Sequence, residues 1–243
     1  MSASEIEWTE QTWNPVTGCA QVSAGCKHCY AERIALRLQA MAAPGYGRGF
    51  ALTLHEDRLS QPLGRKKPTV YFVGSMADLF HEDVSDAFVD RVLVTIRQTP
   101  RHTYLLLTKR AERLADFFAN RPVPGNVWLG VTVEDRRYGL PRIEPLRRVP
   151  ARVRFLAVEP LLEDLGPLDL GGIQWVIGGG ESGPGRWRGL PVQAVGRLGV
   201  GRRAPRPESQ RKDTGRAAVG RAAGVERGAA VAGRLGGDGV ARA

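Results

Sequence analysis

Thr69-Val70-Tyr71-Phe72-Val73, then Ser85-Asp86-Ala87-Phe88-Val89-Asp90-Arg91-Val92-Leu93-Val94-Thr95-Ile96, then Thr103-Tyr104-Leu105-Leu106-Leu107-Thr108 decide the fold. The first and last are unbroken apolar, β-branched and aromatic runs, as strands buried on both faces require. Between them Phe88, Val89, Val92 and Ile96 recur at helical spacing, and Ser85 or Asp86 stands where a helix cap belongs. The unit is therefore strand, helix, strand, and it repeats downstream. Residues 110–119 read as a helix, 127–133 as a strand, 138–148 as a short helix, and 153–158 and 173–177 as strands. Such alternation predicts an α/β protein with a parallel sheet covered by helices. A full or partial (β/α) barrel suits the rhythm at least as well as an open doubly wound sheet. Both place ligands at the carboxyl ends of the strands.

The polar residues at those ends are Ser75 and Asp78, Thr108 and Lys109, Glu134 and Asp135, Glu159, and Glu181 with Ser182. Each is a candidate for contact with a cofactor or substrate. Asp78 and Asp135 equally suit helix caps, and Lys109 with Arg110 suits the solvated start of a helix.

The chain has 243 residues and a net charge of +10, which invites a nucleic-acid reading. Residues 186–243 carry 13 basic against 4 acidic side chains, whereas residues 1–185 carry 22 against 21. The basicity thus belongs to a tail, and the core has no strongly phosphate-attracting composition. After Gly183-Pro184-Gly185 the tail is Arg, Gly and Ala without a sustained period, so residues 1–185 read as the α/β domain and 186–243 as a disordered basic segment. A second reading is translation out of frame. Shifted one base forward, one choice among the permitted codons of residues 186–199 spells Ala-Gly-Val-Gly-Phe-Gln-Phe-Lys-Gln-Trp-Gly-Ala-Trp, which looks like the end of a helix and an aromatic strand. On that reading the domain lacks its last helix and strand, which would leave an apolar sheet edge and an inactive or aggregation-prone chain. No secretory leader and no bilayer-length apolar run is visible, so a cytoplasmic protein with no membrane association is expected. There is no Gly-x-Ser-x-Gly elbow, phosphate loop or His-Glu-x-x-His helix to support a hydrolase.

All three cysteines fall within Gly18-Cys19-Ala20-Gln21-Val22-Ser23-Ala24-Gly25-Cys26-Lys27-His28-Cys29-Tyr30-Ala31, spaced C-x6-C-x2-C. Three cysteines cannot all pair, and structural cysteines scatter along a chain, so this knot points to a ligand. Zinc wants four tetrahedral ligands, and the fourth would come from His28, His55, His81, His102 or a carboxylate. An iron–sulfur cluster takes thiolates from short loops, and three of them leave one iron open to a small molecule. Two function classes follow: a cluster-bearing enzyme, or a zinc-stabilised nucleic-acid module that uses the basic tail.

Trp13-Asn14-Pro15-Val16-Thr17-Gly18-Cys19 with 22–31 resembles a phage and prophage family named after phage gene products 37 and 68. Further matches are Phe72-Val73-Gly74-Ser75-Met76-Ala77-Asp78-Leu79-Phe80-His81, Leu107-Thr108-Lys109-Arg110, Trp128-Leu129-Gly130-Val131-Thr132-Val133-Glu134, Val158-Glu159-Pro160-Leu161-Leu162 and Gly178-Gly179-Gly180-Glu181-Ser182-Gly183-Pro184-Gly185. The three-cysteine motif is similar to that of radical AdoMet enzymes. That resemblance implies a partial (β/α) barrel with a 4Fe-4S cluster on Cys19, Cys26 and Cys29, and S-adenosylmethionine (AdoMet) at the open iron. It puts His28, Tyr30, Ser75 and Asp78 near the cofactor and Lys109, Glu134, Glu159, Glu181 and Ser182 near the substrate. The spacer of six residues between the first two cysteines departs from the three usual in those enzymes. AdoMet is the implied partner, with room for an unidentified partner protein.

Overall fold

The computed structural model describes residues 2–3, 8–179 and 194–195. Its main sheet contains six parallel strands: β1 (Gln11–Trp13), β2 (Val70–Val73), β3 (Thr103–Thr108), β4 (Val127–Thr132), β5 (Val153–Val158) and β6 (Trp175–Gly178). They lie side by side in chain order, with Ser2–Ala3 antiparallel against β1 at the edge. Four helices intervene: α1 (Tyr30–Ala40), α2 (Asp86–Gln98), α3 (Ala111–Phe118) and α4 (Ile143–Arg148). A doubly wound sheet reverses its strand order at a switch point, and this one does not. The architecture is a partial (β/α) barrel.

Alternation along each strand builds two apolar layers. Tyr71, Val73, Tyr104, Leu106, Leu129, Val131, Leu156 and Val158 face the helices and join Phe88, Val92 and Ile96 of α2, Leu114 and Phe118 of α3, and Ile143 and Leu146 of α4. The opposite side chains, Val70, Phe72, Leu105, Trp128, Phe155, Trp175 and Ile177, form a separate inner cluster with Trp8. Gly130 is part of that inner layer because a Cβ there would overlap the Phe155 ring on the next strand. The helix cap at Ser85 is as expected: its hydroxyl accepts from Phe88 N at 3.3 Å.

All described residues belong to one compact unit, Met1–Arg211. The predicted tail, 186–243, lies outside the described residues apart from Ala194–Val195, a two-residue strand parallel to Leu168–Asp169. Among the described residues, no helix is long and apolar enough to cross a membrane.

Three histidines are buried within this frame, His81 among them. His55 is 7% exposed, with Nε2 2.7 Å from the Thr17 hydroxyl, and His102 is 1% exposed, with Nε2 donating to the Arg65 carbonyl at 3.0 Å. Burial holds both imidazoles below their ordinary value, assisted by Arg58 beside His55 and by Arg101 beside His102. The unfolded chain takes up protons near pH 6.5 that the folded chain refuses, so stability is complete above that pH and falls as the pH drops below it. The urea midpoint is expected to be lower at pH 5.5 than at 7.5, with a smaller difference in a His102→Gln variant. Equal midpoints at the two pH values in the parent protein would contradict this.

Candidate metal and cofactor site

The cysteine loop leaves the carboxyl end of β1 and is fastened at once to the end of β2. Asn14 Oδ1 accepts from Met76 N at 3.1 Å, and the Asn14 amide and Ser75 hydroxyl lie 3.0 Å apart. Gly18 N donates to Met76 O at 2.9 Å and Cys19 N to Phe50 O at 3.3 Å. Gly18 has φ +82°, and a Cβ on it would overlap the Ala51 carbonyl. Only glycine fits this turn. The chain then runs through a single 3-10 turn, Ala24–Cys26, into Cys29, which precedes α1.

All three cysteines are free thiols of intermediate exposure. Burial raises the Cys19 thiol above its ordinary value; Asp78 adds to the rise, and Arg110, whose Nη1 donates to Sγ at 3.6 Å, opposes it. Tyr30 turns its hydroxyl inward to donate to the Ser75 carbonyl at 2.5 Å. Burial, then Cys29 and Glu159, push that phenol well above its ordinary range, so it remains a donor. His28 is exposed on the loop.

Two buried carboxylates organise the mouth of the barrel. Asp78 accepts from Phe80 N at 2.9 Å, from the Thr108 hydroxyl at 2.8 Å, from Lys109 N at 3.1 Å and from Arg110 Nη1 at 3.2 Å. Arg110 in turn reaches Glu82 at 2.7 Å and the Ala20 carbonyl at 3.5 Å. Its side chain is only 10% exposed, so Arg110 is a brace across the mouth, where a solvated helix start was expected. Glu134, with no exposed surface, contacts Arg142 Nη1 at 2.5 Å, Lys109 Nζ at 3.4 Å and the Ser23 hydroxyl. Burial alone would raise this carboxyl; Lys109, Arg142 and Ser23 together outweigh it and hold it below the usual carboxylate range.

Of the residues singled out from sequence, Cys19, Cys29, Ser75, Asp78, Lys109, Glu134 and Glu159 stand on loops at this one end of the sheet, with Cys26 closing the 3-10 turn and Tyr30 opening α1. Asp135 is a turn cap, accepting from Tyr138 N at 2.6 Å and Gly139 N at 3.0 Å. Glu159 lies against Gly179, at the point where a Cβ would fill the space. Glu181 and Ser182 lie outside the described residues. The half-buried Asn14 and Arg110 and the buried Arg142 were missed as site residues; Asn14 is flanked by a buried Trp13 and Pro15, but no local signal marks Arg142.

The donor chemistry fits a thiolate-bound group: three unpaired thiols on one loop at the ligand-binding end of a barrel. Among the described residues no three His, Cys, Asp or Glu side chains are already gathered as a metal cage. Zinc would have to draw a histidine ligand from His28, exposed on the loop, because the other three histidines are engaged. His55 is engaged with Thr17, His102 with Arg65, and His81 Nδ1 accepts from Asp83 N at 3.2 Å.

Fold and site together define a partial (β/α)-barrel protein with a three-cysteine loop at the carboxyl ends of its strands. The chain belongs to the DUF5131 family, described as a protein of unknown function, which matches residues 3–191. No curated protein matches. Two solved structures of spore photoproduct lyase are similar, each at a TM-score of 0.45: a cysteine-to-serine mutant (15% identity over 65% of this chain and 48% of that one) and a complex with dinucleoside spore photoproduct (16%, 68% and 49%). The chain spans about half the length of these structures.

Proposed function

We propose that the protein is an iron–sulfur enzyme of the radical AdoMet type, akin to the phage and prophage proteins its motifs resemble. Cys19, Cys26 and Cys29 would hold the cluster. The observation that carries this reading is the position of three unpaired thiols on the loop between β1 and α1, at the end of the barrel where β1 to β5 deliver Asn14, Ser75, Asp78, Lys109, Glu134 and Glu159. When bound, a 4Fe-4S cluster with AdoMet at its open iron supplies one-electron reductive chemistry.

The protein's own groups do the rest. The Tyr30 hydroxyl, kept protonated, locks the start of α1 to the Ser75 carbonyl and so fixes the helix that follows Cys29. Asp78 fixes the backbone of Lys109 and, through Arg110, the neighbourhood of Cys19. Lys109, with its side chain 20% exposed, and the half-buried Glu159 stand at the mouth, where they would meet a polar substrate.

Oxygen-free reconstitution with iron and sulfide is expected to give a broad brown absorption that a Cys19→Ala/Cys26→Ala/Cys29→Ala variant lacks. Stoichiometric zinc without iron in protein purified without oxygen would overturn the proposal.

A further inference from the structure

The spacer between the first two cysteines is pinned across the mouth of the barrel. Ser23 sits in that spacer and donates its hydroxyl to Glu134, which follows β4, so the contact spans past the ends of β2 and β3. The acceptor is rigid. Glu134 has no exposed surface, its other oxygen is held by Arg142 at 2.5 Å, and its backbone carbonyl accepts from Leu162 N at 3.0 Å. The approach is close: a Cβ on Gly25 would stand 3.0 Å from Glu134 Cγ, so Glu134 would have to give by a few tenths of an ångström. Ser23 also lies 3.8 Å from Cys26 Sγ, and its carbonyl accepts from Cys26 N at 3.0 Å, so what holds Ser23 holds Cys26.

We propose that Glu134 is a positioning residue, latching the cysteine loop to β4 through Ser23 and thereby fixing where Cys26 stands. The other end of the spacer is braced separately, with Arg110 on the Ala20 carbonyl and on Cys19 Sγ. The latch is a property of the polypeptide; only its effect on a cluster rests on the iron–sulfur reading.

Hydrogen exchange on the metal-free protein tests it. Ser23 is half-buried on a loop, so Ser23→Ala removes one hydroxyl without opening the core. Losing a hydrogen bond to a charged group should speed amide exchange in residues 20–28, and alkylation of Cys26 by iodoacetamide, about tenfold. Ser23→Thr, which restores the hydroxyl, should return both rates, and the amides of β3 to β5 should not change. Glu134→Gln should reproduce the local effect. Parent-like exchange and alkylation in both Ser23→Ala and Glu134→Gln would overturn the latch, as would Ser23→Thr behaving like Ser23→Ala. In reconstituted protein, Ser23→Ala should lose iron to a chelator faster than the parent. Failure of the parent to take up iron would remove the iron–sulfur reading and leave the metal-free result standing.

Discussion

Replacing Arg142 by Met should destabilise the protein by about 3–5 kcal/mol, the usual loss when one partner of a buried ion pair is removed. Arg142 is 7% exposed and donates to the Thr132 carbonyl at 2.8 Å and to Glu134 at 2.5 Å. Without it, Glu134 remains fully buried, with Lys109 Nζ at 3.4 Å as its sole cation among the described residues. That leaves a charge short of compensation in a low-dielectric site. Adding Glu134→Gln should therefore recover a large part of the loss, since the pair is coupled. Urea unfolding of the two single variants and the double variant measures the coupling. If the double variant is no more stable than Arg142→Met alone, Arg142 acts through the Thr132 carbonyl and packing, and Glu134 is not its electrostatic partner.

The second large effect is expected at Gly18. An alanine there meets two penalties together: a left-handed φ of +82° and overlap with the Ala51 and Phe50 carbonyls. Neither relaxes easily, because Gly18 N is bonded to Met76 O and Cys19 N to Phe50 O. We expect a loss of about 3 kcal/mol or more. Gly74 provides the internal control. It has φ +78°, but the nearest atom to a Cβ is 3.3 Å away, so Gly74→Ala should lose only the strain, about 1 kcal/mol. Thermal unfolding of both variants separates overlap from strain; equal shifts would mean that the Ala51 segment moves aside.

The strands from Val70 onward were legible because both faces of each are apolar, which is what a layer between helices and an inner cluster imposes. Thr103–Thr108 and Val153–Val158 coincide with their predicted bounds. β1 left no such mark. It has three residues, Gln11, Thr12 and Trp13, and a strand of that length shows no period. Strand order also lay beyond the sequence, since the βα rhythm suits a barrel and a doubly wound sheet alike. At the site, the cysteines and strand-end acids were legible by type and spacing. Their division of labour was not. Asp78 and Glu134 read as groups for ligands, yet both are enclosed by donors from segments distant in the chain. Arg110 was legible only as the solvated start of a helix, and Arg142 carried no signal, because their partners are assembled only by the tertiary structure.

The inner cluster gives the barrel an optical reporter of its own. Of five tryptophans, Trp8, Trp128 and Trp175 meet on that layer, with Trp175 6.2 Å, centroid to centroid, from each of the other two and nearly perpendicular to both. Trp13 stacks edge-on against Tyr104 among the helix-facing residues. Near-ultraviolet circular dichroism and indole emission will therefore be weighted towards the lumen, while far-ultraviolet dichroism follows the outer helices. Loosening of the barrel interior can be watched apart from melting of its helical coat, with no label attached.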